Sequence, residues 1–161
     1  MCVPFCRRLP SRAANGQRPL RERDELVARL AAIPEERERF RYAEGKWSVR
    51  ELAGHLVDTE RVLGYRAVCI ARGESAPLPG FDENAYAASS GHDECRLPDL
   101  AEELLSLRAS HLLLLRHVPE AAWTRRGIAN ENPATPRAMA YVMAGHVRHH
   151  LAVLAERYGL G

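Results

Sequence analysis

No stretch of the chain approaches the roughly 18 consecutive apolar residues that a membrane-spanning helix needs, so no membrane partner is expected. Cysteine is scarce: Cys2, Cys6, Cys69 and Cys95 form no C-x-x-C pair, which argues against a disulfide framework. The opening residues lack an apolar stretch of secretory length, and a cytoplasmic protein with reduced thiols is the expectation. Their Arg- and Ser-bearing, acid-poor character loosely resembles an organellar transit peptide, but a flexible tail over residues 1–18 is the simpler reading. Serine-hydrolase and nucleotide-binding signatures are missing too, since neither G-x-S-x-G nor a Gly-rich phosphate loop occurs. Strand-like alternation, internal repeats and low-complexity blocks are likewise not evident.

Basic residues are not gathered on the body of the chain. Arg7, Arg8, Arg12, Arg18 and Arg21 give the segment before Glu22 a charge of +5, so the total of +2 leaves −3 for the remainder. A nucleic-acid face needs clustered Lys and Arg on the folded surface, and no nucleic-acid partner is expected. The length of 161 residues and the 46% hydrophobic fraction suit a single domain, taken as residues 19–161.

What is present is helical. Leu20, Leu26, Val27, Leu30 and Ile33 predict a first helix that Pro34 ends, with a short continuation toward Phe40. Ser48-Val49-Arg50-Glu51 fits a capping box, and the apolar seam that follows, through Leu52, His55, Leu56, Thr59, Val62, Leu63, Arg66, Cys69 and Ile70, predicts a long second helix closed by Gly73. A connection over 74–97 follows, with helical turns at Asp82–Ala88. A third helix is expected from Pro98 or Asp99 to Val118, capped by Asp99 and Glu102. After a polar connection, Thr135 and Pro136 open a fourth helix that ends at Tyr158 before Gly159. The expected fold is all-α, a four-helix bundle with long crossover connections, whose facing helices commonly build metal sites inward.

Three of the seven histidines fall in His146-Val147-Arg148-His149-His150. On a helix, His146 and His150 differ by about 40° around the axis and about 6 Å along it, so the pair can grip one metal ion. His149 also neighbours His146, and spacing alone does not choose between 149 and 150. His55, on the seam of the second helix, supplies a third imidazole. Three nitrogens with open positions are the donor set of a catalytic zinc site, and imidazole also suits nickel, iron and copper. An acidified water or a substrate thiolate or carbonyl can take the open side. The simpler alternative is that each histidine is a hydrogen-bonded packing residue.

Other candidates are weaker. His111 and His117 are expected at the surface or a helix end, and His92 carries no signal in its loop. Asp58 is either a carboxylate orienting His55 or the partner of Arg61. Trp47, Tyr65 and Tyr141 are expected in the core, and Cys69 in packing.

Gly45-Lys46-Trp47-Ser48-Val49-Arg50-Glu51, Gly54-His55-Leu56 with Asp58-Thr59-Glu60-Arg61, Pro79-Gly80-Phe81-Asp82-Glu83 and His146-x-x-His149-His150 together resemble the DinB-like family over about residues 20–159. That family, named for damage-inducible proteins, also contains bacillithiol-transferase-type proteins often labelled metal-dependent hydrolases. The resemblance implies a four-helix bundle, frequently a dimer, and a divalent metal, often nickel or zinc, on His55, His146 and His150. The activity it suggests is activation of a low-molecular-weight thiol for transfer to an electrophile. Metal-dependent hydrolysis and a non-catalytic metal-binding bundle of the stress response are the alternatives.

Overall fold

The computed structural model describes residues 28–160. The expected tail and most of the expected first helix lie outside the described residues. Residues 28–31 are helical and the helix ends before Pro34, after which Glu35–Arg37 form one 3-10 turn. Three long helices follow: α1 (Val49–Arg72), α3 (Leu97–Arg116) and α4 (Pro136–Tyr158), with the shorter α2 (Glu83–Ser90) in the connection after α1. Among the described residues no helix is long and apolar enough to cross a membrane. The fold is the expected four-helix bundle.

Helix α1 is its axis. The Ser48 hydroxyl accepts from the Glu51 amide at 3.0 Å while the Glu51 carboxylate accepts from the Ser48 amide at 2.7 Å, so the capping box forms as the sequence indicates. Gly73, at φ 91°, ends the helix in the left-handed conformation. Between them α1 is buried on nearly every face. Leu52, Leu56 and Val57 pack with Leu97, Leu100 and Leu104 of α3 and with Val147, Leu151 and Leu154 of α4. Leu63, Ala67 and Ile70 build a second cluster with Met139 and Met143 of α4 and with Leu78, Ala129 and Ala134. Close neighbours demand small residues: a Cβ at Gly54 would lie 2.0 Å from His92 Nδ1, and one at Gly64 would lie 2.0 Å from His111 Nε2.

Several local expectations need correction. Helix α3 begins with Arg96 as N-cap and no side-chain cap of its own, so neither Asp99 nor Glu102 plays that part. Its Leu97 amide instead donates to Glu38, 59 residues earlier, at 3.2 Å. The polar connection before α4 contains a hairpin, β1 (Gly127–Ala129) paired antiparallel with β2 (Asn132–Ala134). Strands of three residues are too short to display alternation, which is why the sequence pattern does not reveal them. Asn130 and Glu131 turn the hairpin at positive φ, and Leu78 joins its edge through bonds to Ile128 and Asn130. The N-cap of α4 is Thr135 with Pro136 next, as expected. Tyr65 and Tyr141 are exposed rather than core, because each sits on the outer face of its helix.

Glu38 joins three segments. Buried to 5% exposure, its carboxylate lies 2.7 Å from Arg50 Nη2 and 2.8 Å from Arg50 Nε while accepting from Leu97. Removing one partner of a buried pair strands the other charge, so Glu38→Ala is expected to cost about 3 to 5 kcal/mol in urea unfolding. The double variant Glu38→Ala/Arg50→Met should recover much of that loss. Equal destabilisation by both variants would show that the stranded charge is not the cause.

Candidate metal centre

His55 sits in the second turn of α1, just beyond the capped end, on the face that meets α4. Helices α1 and α4 run antiparallel there, since the Tyr158 hydroxyl at the end of α4 donates to the Trp47 carbonyl just before α1 at 2.8 Å. That register brings His55 opposite the turn of α4 that carries His146 and His150. The ring centroids of His55 lie 4.9 Å from each of the other two, which are 4.6 Å apart. One ring nitrogen from each falls within 4.8 Å of the others, and His55 Nε2 is 3.0 Å from His146 Nε2. Metal–imidazole bonds of about 2.1 Å separate tetrahedral ligands by about 3.4 Å, a spacing this cluster can meet by small ring rotations.

The environment keeps these rings neutral. His55 is 7% exposed and the other two are half-buried. Burial first, then the neighbouring imidazoles, lowers each of the three from the usual 6.5 to about 4. For His146 the carboxylate of Glu60 acts in the opposite direction, with Arg108 again lowering. Neutral imidazole is the metal-binding form. His150 Nδ1 is buried with no hydrogen-bond partner, so its ring is not held as an ordinary packing histidine would be. The donor set therefore fits a divalent transition metal. His149 is exposed, its ring 5.0 Å from His150, and it is not among the three nitrogens brought together.

Other side chains gather around the cluster. The Trp47 ring tilts over His55 at 4.7 Å, a wall of the site rather than core filling. Thr59, one turn beyond His55, places its hydroxyl 3.5 Å from His55 Nδ1; its i+4 position on the seam was the available signal. Glu60, 2% exposed, lies 2.7 Å from Arg108 Nη2 and accepts from His111 Nδ1 at 3.0 Å. Arg108 also donates to the Met143 carbonyl at 3.1 Å, tying α3 to α4 three residues before His146. His111 is thus an inward residue bound to Glu60, not the surface residue expected, whereas His117 does sit exposed at the end of α3. His92 corrects a second expectation: it packs on Gly54, with Nδ1 4.0 Å from Asp58. Asp58 faces Arg61 at 3.6 Å, the ion-pair alternative, and no bond joins it to His55. Cys69 packs against the second core cluster, as expected.

No curated protein matches the chain in sequence. The following two are among the solved structures that share its fold. YfiT from Bacillus subtilis, described as a probable metal-dependent hydrolase with an unusual four-helix bundle topology, aligns with a TM-score of 0.69 at 19% identity over 98% of this chain and 97% of its own. A mycothiol-dependent maleylpyruvate isomerase aligns with a TM-score of 0.63 at 16% identity over 83% of this chain and 56% of its own. A sequence model of the DinB superfamily matches residues 20–154, a span that holds α1, the hairpin and all three clustered histidines. The chain belongs to the DinB superfamily.

Proposed function

We propose that this protein is a divalent-metal enzyme that activates a low-molecular-weight thiol for transfer to an electrophile, with His55, His146 and His150 as the ligands and nickel or zinc as the metal. The observation that carries this reading is the convergence of three neutral imidazoles from two helices with no carboxylate among them. A divalent metal supplies Lewis acidity there, lowering the pKa of a thiol or water that binds it. The chain supplies a fixed donor triangle, an aromatic wall at Trp47 and a hydroxyl at Thr59 that can orient the His55 ring.

Hydrolysis, the activity in YfiT's description, is the second reading. It usually calls on a free general base beside the water. Here Glu60 is engaged by Arg108 and His111, and Asp58 faces Arg61 and His92. A thiol that binds the metal would lose its proton to solvent outright and so would need no such base, which favours the thiol reading. Dependence on a small thiol in the neighbouring maleylpyruvate isomerase agrees with it. The mildly acidic body after Glu22 argues against a nucleic-acid substrate.

Protein purified without a His-tag is expected to carry about one equivalent of nickel or zinc by elemental analysis, and His146→Ala about a tenth of that or less. Transition metal below that level in the wild type, unchanged by the substitution, would remove the reading.

The metal-free protein should show a matching pH dependence. The three histidines titrate near 4 when folded and near 6.5 when unfolded, so the unfolded chain binds more protons between those values. Stability is expected to be level above pH 6.5 and to fall as the pH drops toward 4. Thermal melts of wild type and the triple His→Gln variant check this: the variant should lose the part of the slope between pH 6.5 and 4 that the histidines cause.

A further inference from the structure

Two helices that meet through apolar side chains can shear past one another by small steps, because hydrophobic attraction has no direction. A metal site tolerates little of this. Ligand distances must hold to about 0.2 Å, whereas a helix advances about 1.5 Å per residue. On either side of the three-His centre, Leu56 with Leu151 and Leu154, and Leu63 with Met139 and Met143, supply contact between α1 and α4. Directional bonds are better suited to set the register.

Two polar ties bracket the centre. At one end the Tyr158 hydroxyl donates to the Trp47 carbonyl at 2.8 Å, before His55 in the chain and after His150. At the other end Glu60, beyond His55 on α1, lies 2.7 Å from Arg108 Nη2 of α3. The same nitrogen donates to the Met143 carbonyl of α4 at 3.1 Å, just before His146. One atom therefore joins α1 to α4 beside the cluster. Glu60 is itself held on both sides: it is 2% exposed, and its second oxygen accepts from His111 Nδ1 at 3.0 Å. His111 lies so close to α1 that a Cβ at Gly64 would be 2.0 Å from its Nε2. Glu60 raises and Arg108 lowers the His146 pKa, which places both within electrostatic reach of that ring.

We propose that Arg108, held by Glu60, is a positioning residue for the three-His centre: by joining Glu60 of α1 to the Met143 carbonyl of α4 it fixes the register in which His146 and His150 face His55. The inference rests on the metal reading of that centre. Arg108 acts through the backbone of α4. The other buried pair of this kind, Arg50 with Glu38 at 2.7 Å, sends its bonds to Leu97 and to the Asp93 carbonyl instead, so it offers a matched control.

Cobalt(II) titrated into the full-length, metal-free protein tests the tie. Competition with a chelator gives the affinity, and the visible bands report the number and arrangement of the ligands. Glu60→Gln/Arg108→Met removes the tie without stranding a charge. This variant is expected to stay folded and to bind cobalt about tenfold or more weakly than wild type, with altered bands. Glu38→Ala/Arg50→Met, which removes the other pair, should bind as wild type does. Arg108→Lys keeps the charge opposite Glu60 on a shorter stem and should lose less. Wild-type affinity and bands in folded Glu60→Gln/Arg108→Met, or an equal loss in Glu38→Ala/Arg50→Met, overturns the inference and leaves the metal reading in place. A wild type that binds no cobalt removes the metal reading and this inference with it. Should Glu60→Gln/Arg108→Met fail to fold, Arg108→Lys decides: weaker binding supports the tie, and unchanged affinity and bands overturn it.

Discussion

Three imidazoles in ring contact and largely out of water can share a site only while uncharged. Each protonation would set a cation beside two rings that already lack solvent, and burial and mutual repulsion accordingly push all three to about 4. Everything else in the site follows from keeping that arrangement at neutral pH. Neutral nitrogen donors from two helices form an electron-rich triangle, and His150 Nδ1 is buried with no hydrogen-bond partner. A divalent cation is the group such a triangle suits.

Rigidity comes from how α1 is enclosed. One end is fixed by the Ser48 and Glu51 capping box, whose serine hydroxyl also donates to Asp93 at 2.5 Å. Its flank is held by Arg50 and Glu38, which reach both the start of α3 and the Asp93 carbonyl. Two glycines admit histidines at contact distance, His92 on one side and His111 on the other. His111 in turn orients Glu60, which Arg108 connects to the backbone of α4. The His55 position relative to His146 is therefore set by polar ties as well as by the apolar core, a precision that loops alone do not provide.

The long helices were legible because their signals are local. Ser48 with Glu51, Thr135 with Pro136, and Gly73 and Gly159 are short-range chemistry, and the seam of α1 repeats often enough to stand out. The histidine cluster was legible because two members share a turn and the third lies on a seam. What the sequence hid is non-local. Glu38 capping α3 from 59 residues away, His111 turning inward to Glu60, and His92 lodging against Gly54 depend on which elements meet in space. The hairpin at Gly127–Ala134 was hidden for a different reason: its strands are too short for a period to show. Tyr65 and Tyr141 show that aromatic character alone does not decide burial.

The central claim is that His55, His146 and His150 hold one metal with a position left for sulfur. X-ray absorption at the metal edge of the loaded protein, before and after adding a thiol, tests it most directly. The account predicts about three imidazole nitrogens near 2.0 to 2.1 Å, with light-atom ligands completing the shell, and one sulfur near 2.3 Å once thiol is present. A shell already closed by four protein ligands, or one that thiol does not change, would contradict it.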